Sequence, residues 1–194
     1  MTRFILFIML ALAPAMMADA QDAKQLYKQG KELYDAKNYK QALPLLRKSA
    51  EKGYKKAQYR LGRCYEKGHG IEKNETVAAQ WYMKSAKQDY GKAMYRLGMF
   101  YKEGKGVTKN RQTAVSWFQK AAKQDNANGQ YQLGKAYLKG KGVTADENKA
   151  RVLLKKAVNN PKDGAEVLKK IREDAAAGDE DAKRMLVLIG KTKA

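Results

Sequence analysis

Residues 57–86 read AQYRLGRCYEKGHGIEKNETVAAQWYMKSA, and two later stretches repeat this pattern without a gap. The second copy is AMYRLGMFYKEGKGVTKNRQTAVSWFQKAA from Ala93, and the third is GQYQLGKAYLKGKGVTADENKARVLLKKAV from Gly129. Successive copies lie 36 residues apart in this chain of 194 residues. A fixed period of this length is typical of repeat proteins, in which each repeat is one structural unit packed against its neighbours.

Each copy predicts two helices joined by a glycine-containing turn. Leu61 and Tyr65 are four residues apart, which places them on one face of a first helix. Gly62 costs about 1 kcal/mol relative to alanine inside a helix, so its recurrence indicates that a second helix packs closely there. The Gly-x-Gly pair ends the first helix, because glycine adopts the left-handed conformation at little cost. Residues suited to N-capping then precede the second helix; they are Asn74, Asn110 and Asp146.

The second helix is predicted to bury a stripe that contains Ala78, Trp81 and Ser85. On either side of the three copies the pattern changes. Residues 21–56 predict a shorter helix pair, and residues 161–194 predict two capping helices at 164–177 and 180–190, since one face of a terminal repeat must meet water. The predicted layout is a signal peptide at 1–20, a first pair at 21–56, repeats at 57–92, 93–128 and 129–160, and C-terminal caps at 161–194.

The pattern A-x-x-x-L-G-x-x-Y, followed by G-x-G-V, A-x-x-W and A-A, resembles the Sel1-like repeat, a relative of the tetratricopeptide repeat. In the first pair the distance from Gly30 to Ala42 is 12 residues instead of 16, which is closer to the tetratricopeptide form. The resemblance implies an all-α, right-handed solenoid of helix-turn-helix repeats with about ten helices. It also implies a scaffold or adaptor, because this family chiefly supplies such proteins.

The first twenty residues predict export. A short basic start at Arg3 is followed by an apolar run from Phe4 to Ala13 and a small-residue end at Ala18-Asp19-Ala20. This arrangement is typical of a secretory signal peptide cleaved after Ala20, and Pro14 interrupts the run too early for a comfortable membrane span. An uncleaved membrane anchor is the alternative. The family and the short signal together favour a bacterial periplasmic location.

The chain is strongly basic, with 40 Lys and Arg against 20 Asp and Glu, for a net charge of +20. Such a charge attracts acidic proteins, phosphorylated glycolipids, cell-wall polymers or nucleic acid. Base-reading motifs are absent from the sequence, so no specific nucleic-acid partner is expected. A merely solvated, lysine-rich surface is the alternative, because the charge is spread along the whole chain.

The sequence offers little for catalysis, so we expect no enzyme, no cofactor and no metal site. His69 is the only histidine and lies in a glycine turn, where an exposed role is expected. Cys64 is the only cysteine and aligns with Phe100 and Ala136, which predicts a small buried side chain. Secreted cysteine-rich relatives described as β-lactam-binding or β-lactam-hydrolysing offer an enzyme as an alternative. Those relatives carry a disulfide in each repeat, which a single cysteine cannot form.

A surface for partners is predicted on the first helices, which line the concave face of helix-pair solenoids. Two residues before the repeat leucine position stands a tyrosine in every unit. Two residues after that position stand Lys31, Arg63, Met99 and Lys135 in turn, with Lys56 and Lys92 nearby. Tyrosine supplies apolar area and a hydroxyl, and Lys and Arg pair with carboxylates or phosphates. The candidate residues for binding a peptide or an acidic protein are Tyr27, Lys31, Lys56, Tyr59, Arg63, Lys92, Tyr95, Tyr131 and Lys135. The alternative is that these tyrosines brace adjacent repeats.

Overall fold

The computed structural model describes the backbone of residues 2–191 and the side chains of residues 19–191. Across this described part the chain forms ten α-helices and no strand, which confirms the predicted all-α repeat fold. They are α1 (Thr2–Asp35), α2 (Tyr39–Glu51), α3 (Lys55–Lys67), α4 (Glu75–Ala86), α5 (Gly91–Glu103), α6 (Arg111–Lys123), α7 (Ala127–Lys139), α8 (Glu147–Val158), α9 (Gly164–Ala176) and α10 (Glu180–Ile189). The helices group into two compact units, α1–α4 up to Gln88 and α5–α10 from Asp89 onward.

The core of the first unit lies between α1, α2 and α3. Leu46 and Leu61 are fully buried there, and Cys64 is 1% exposed, as its column in the repeat predicts. The hydroxyl of Ser49 donates a hydrogen bond of 2.6 Å to the carbonyl of Ala23, which ties α2 to α1. The hydrogen bond therefore holds the first helix pair together, and the shared apolar cluster joins this pair to α3 of the next repeat.

The second unit has two apolar clusters. One lies between α6 and α7 and includes Phe118 and Leu133. The other joins α7 and α8 to the C-terminal helices, and Leu154, Ile171 and Met185 are fully buried in it. The chain is helical at both positions predicted for the C-terminal helices, as α9 and α10, and their apolar faces complete the core of the last repeat.

The glycine inside each first helix lies against the second helix of its own pair, as predicted. A β-carbon on Gly62 would stand 2.7 Å from the Tyr82 ring, and one on Gly134 would stand 2.9 Å from Leu154. The prediction for Trp81 needs correction, because it is only half-buried whereas the adjacent Tyr82 is fully buried. The bulky core residue of the second helix is therefore one position later than the stripe predicts.

The turns and caps follow the repeat columns. The first helices α3, α5 and α7 end at glycines with left-handed φ angles of 72°, 79° and 61°. The predicted N-caps are confirmed in α4, α6 and α8, whose cap side chains accept a hydrogen bond from the backbone N–H three residues later. Local sequence therefore sets both ends of the turn that connects the helices of a repeat.

Helix α1 continues through the position of the predicted cleavage, so its backbone shows no boundary at Ala20. The side chains of residues 1–18 lie outside the described part, so the signal peptide stays a prediction. None of the helices in the described part of the chain is long and apolar enough to cross a membrane.

Candidate functional site

The first two candidate residues of the first unit, Tyr27 and Lys31, both lie half-buried on α1. The Tyr27 ring centroid is 5.1 Å from that of Tyr54, and its side chain packs against the core of the unit. The Lys31 ammonium pairs with the Asp35 carboxylate at 2.5 Å. Tyr27 thus braces the connection from α2 to α3, while Lys31 is already neutralised by an acid on its own helix.

On α3, Tyr59 and Arg63 form a joined pair. Both are half-buried and share a side-chain hydrogen bond, and the Tyr59 ring lies 5.7 Å from that of Tyr82. Burial lowers the pKa of the Arg63 guanidinium, but Tyr59 and the neighbouring tyrosines together raise it above its ordinary value. Lys56 is exposed on the same helix. This group presents an aromatic face and a guanidinium whose Nε lies 3.9 Å from the Glu66 carboxylate on the same helix.

In the second unit, Tyr95 keeps a half-buried ring on α5. Its centroid is 6.3 Å from that of Phe118, and the Arg96 guanidinium lies 5.9 Å from the centre of the Tyr95 ring. Lys92 is exposed one turn earlier. Tyr95 therefore combines partial packing with partial exposure, as a binding aromatic residue does.

The expectation that Tyr131 faces a groove is wrong, because its side chain is 3% exposed and belongs to the core shared with α9 and α10. Burial, reinforced by the charges of Asp174 and Asp179, raises the pKa of Tyr131 to about 12. The ammonium of Lys135 lies 5.9 Å from the centre of the Tyr131 ring and remains half-exposed. In this repeat Lys135 is accessible to a partner protein, whereas Tyr131 is not.

An aromatic cluster that the sequence interpretation missed occupies the first unit. The Tyr34 hydroxyl and His69 Nδ1 are hydrogen-bonded at 2.9 Å, and the Tyr39 and His69 rings stack at 4.1 Å. The Arg60 guanidinium lies 4.7 Å from the centre of the Tyr34 ring. His69 is therefore half-buried, not simply exposed in its turn, and burial together with Arg63 lowers its pKa.

The equivalent place in the second unit is a cavity of about 120 Å³ between α5, α6 and α7. Its floor is apolar and consists of Ala114, Val115, Phe118 and Ala136, and its polar wall includes Gln132. Its cations are Lys102, Arg111, Lys135, Lys139 and Lys141. The aligned sequences already show why one place is filled by rings and the other is an open cavity. Tyr34, Tyr39 and His69 of the first unit align with Lys102, Arg111 and Lys141 of the second.

The second helices carry a recurring cation–aromatic pair. The Lys84 ammonium lies 4.2 Å from the centre of the Trp81 ring, and that of Lys120 lies 4.3 Å from the centre of the Trp117 ring. Each lysine follows its tryptophan by three residues, so the two side chains are neighbours on the helix surface. These pairs shield indoles that are only half-buried, whereas the repeat pattern predicts Trp81 in the buried stripe.

Groups for nucleophilic or metal chemistry are scarce. Burial raises the pKa of the Cys64 thiol to about 11, so the thiolate nucleophile is disfavoured at neutral pH. Within residues 19–191, no group of three or more His, Cys, Asp and Glu side chains is placed to hold a metal ion. What the site offers is aromatic area and positive charge.

The chain belongs to the Sel1 repeat family, whose model matches residues 13–54, 55–90, 91–126 and 127–161. Proteins of this family generally mediate protein–protein interactions and typically serve as non-catalytic scaffolds. None of the curated proteins compared with the sequence matches it.

The chain shares its fold with solved structures of other proteins. A Sel1 repeat protein from Oxalobacter formigenes is 28% identical, with a TM-score of 0.68 over 86% of this chain and 84% of that chain. A protective antigen present in uropathogenic Escherichia coli strains, which displays the SLR fold, is also 28% identical, with a TM-score of 0.70. That alignment covers 91% of this chain and 46% of the antigen.

Proposed function

We propose that this chain is a non-enzymatic binding module of a bacterial envelope that holds an acidic protein or peptide on its first helices. The observation that carries the proposal is a half-exposed tyrosine in the same column of two repeats, Tyr59 and Tyr95, each with an arginine nearby. The arginine is Arg63 beside Tyr59 and Arg96 beside Tyr95. Tyrosine buries area at low entropic cost, and arginine pairs with carboxylates in a fixed geometry.

The sign of the charge selects the partner. A net charge of +20 attracts acidic surfaces and speeds their association, whereas the tyrosines supply short-range contacts. An anionic envelope polymer is the second candidate, and the charge alone favours it. The two differ in salt dependence, because the affinity of a polyanion falls steeply with salt whereas an aromatic-anchored site loses less.

The envelope location rests on the first twenty residues, whose pattern is that of a cleaved signal peptide. Export would place this basic surface among the proteins, phosphorylated glycolipids and polymers of the periplasm.

The test is capture from an envelope fraction at two salt concentrations with the protein recovered from the producing cell. The wild type is compared with Tyr95→Ala and with Trp117→Ala, which removes an aromatic side chain from a second helix of the same unit. A protein retained by the wild type and Trp117→Ala, and lost with folded Tyr95→Ala, supports the proposal. Equal retention by all three excludes the tyrosine surface, and release of everything at moderate salt favours the polymer.

A further inference from the structure

We propose that the cationic cavity of the second unit is a binding site for a small organic phosphomonoester, a dianionic group attached to an apolar body. The cavity lies between α5, α6 and α7, and cations surround an apolar floor formed around Phe118. This site shares Lys135 with the candidate partner surface but includes none of its tyrosines, and it does not depend on the proposed partner protein.

The first unit shows that the fold accepts two versions of this place. A β-carbon on Gly70 would stand 2.7 Å from the carbonyl oxygen of Tyr39, and one on Gly142 would stand 2.6 Å from that of Arg111. Tyr39 and Arg111 therefore occupy the same position relative to the following turn. In the first unit, stacked rings fill that position, with Tyr39 against His69 at 4.1 Å. In the second unit the rings are replaced by cations and the space stays open.

The positive charges of the cavity lysines repel one another. Lys102 is half-buried and donates a hydrogen bond of 3.0 Å to Gln132, and burial together with the charge of Lys135 lowers its pKa. Burial and the charges of Lys141 and Lys135 lower the pKa of Lys139 in the same way. An anion that enters this space removes like-charge repulsion that the folded chain otherwise retains.

Three carboxylates oppose this repulsion. Glu103 acts on Lys102, whereas Asp181 forms an ion pair with Lys139 and Asp179 also favours the charged form of that lysine. None of the three is among the residues that line the cavity, all of which belong to the described part of the chain, and the five cations of the lining outnumber them. Positive charge therefore remains in excess at the walls.

The excess positive charge and the apolar floor of the cavity together indicate the chemical class of the ligand. Several cations around one small space favour a dianion over a single carboxylate, because each charge on the ligand interacts with every wall cation. The apolar floor rewards a ligand that also buries hydrocarbon, which inorganic phosphate cannot do. Phenyl phosphate combines both features and serves as the probe.

The experiment is titration calorimetry of the full chain in low-salt, phosphate-free buffer. We expect phenyl phosphate to bind with one-to-one stoichiometry and at least about tenfold more tightly than inorganic phosphate, benzoate or benzyl alcohol. Equal affinity for inorganic phosphate would contradict the role of the apolar floor. Equal affinity for benzoate would contradict the preference for a doubly charged group. Absence of one-to-one binding of phenyl phosphate would overturn the proposal entirely.

A variant that imports the residues of the first unit locates the site. The triple substitution Lys102→Tyr, Arg111→Tyr and Lys141→His fills the cavity as Tyr34, Tyr39 and His69 fill its counterpart, and we expect it to abolish binding. The matched control, Lys87→Tyr, Lys155→Tyr and Lys162→His, removes the same charge at exposed positions and should bind as the wild type does. Equal loss in both variants would show that only net charge attracts the probe.

If the triple variant does not fold, a single substitution at an exposed residue of the cavity tests the site instead. Lys141 lies on the turn after α7 and is exposed, so Lys141→Gln leaves the helices intact. We expect it to weaken phenyl phosphate binding about fivefold, with an unchanged melting temperature. Unchanged affinity in this variant would contradict the assignment of the cavity.

Discussion

Gly98 lies directly against the ring of Phe118, so closely that a β-carbon on the glycine would overlap the ring carbons. The same relationship recurs in the neighbouring repeats, between Gly62 and Tyr82 and between Gly134 and Leu154. A glycine that is unfavourable within its own helix thus allows the two helices of a repeat to approach each other. The loss of helix propensity is offset by burial of the large side chain opposite.

The first prediction concerns this contact. Gly98→Leu should destabilise the protein by about 1–3 kcal/mol or more, because the added side chain forces Phe118 out of its place. The control Ser116→Ala changes an exposed residue on α6, the helix that carries Phe118. It should shift the free energy of unfolding by less than about 0.5 kcal/mol. Chemical denaturation of both variants measures the difference. Equal unfolding midpoints would mean that the helix pair does not pack as described.

A second prediction tests the caps. The Asn110 side chain accepts a hydrogen bond of 2.9 Å from the backbone N–H of Thr113 at the start of α6. Asn110→Ala removes this acceptor and should cost about 1 kcal/mol of unfolding free energy. Gln112→Ala, two residues further on and exposed, serves as the comparison. A cap variant as stable as Gln112→Ala would exclude the capping role.

The residues that could be predicted from sequence are those whose role is set within one repeat. Asn110 and Gly104 depend on a few neighbouring residues, so their columns indicate a cap and a helix end directly. The burial of Tyr131 depends on contacts with α9, whose sequence departs from the repeat pattern. No residue near Tyr131 in the sequence therefore predicts that burial. The contact of Tyr34 with His69 joins residues 35 positions apart and was missed for the same reason.

The third prediction separates two tyrosines that the sequence treats as equivalent. Tyr131→Ala should destabilise by about 3–5 kcal/mol, because it leaves a cavity in the core. Tyr95→Ala should destabilise by less, since the ring of Tyr95 is only half-buried. Thermal melts followed by circular dichroism test this order, and a more stable Tyr131→Ala would reverse the assignment.

Tyr131 also makes stability depend on alkaline pH. Its pKa is raised to about 12 in the folded chain from an ordinary value of 10.0, so folding favours the neutral phenol. The contribution is complete below pH 10 and is lost as the pH rises toward 12. We expect the wild type to lose more stability than Tyr131→Phe between pH 9 and pH 11, as followed by denaturant unfolding. Parallel losses in the two proteins would contradict the raised pKa.

Another prediction concerns export, for which the first twenty residues supply the argument. The protein recovered from the producing cell should begin at Gln21, by the small-residue rule for cleavage. Mass spectrometry of the intact chain gives the answer directly. Recovery of a chain that still begins at Met1 or Thr2 would remove the envelope location from the proposed function.

The last prediction concerns the role of Arg63 in partner binding. Arg63 is half-exposed, and its position is fixed by a hydrogen bond with Tyr59 and by the Glu66 carboxylate, 3.9 Å from its Nε. Arg63→Glu should slow association with the captured partner and make the rate less sensitive to salt, because steering charge acts mainly on encounter. Tyr95→Ala should instead speed dissociation, since truncation of an aromatic anchor typically costs about 2 kcal/mol or more. Surface plasmon resonance at several ionic strengths separates the two effects, with Lys169→Glu as a charge-matched control on α9. If Lys169→Glu reduces the association rate as much as Arg63→Glu does, the whole basic surface attracts the partner and Arg63 has no special part.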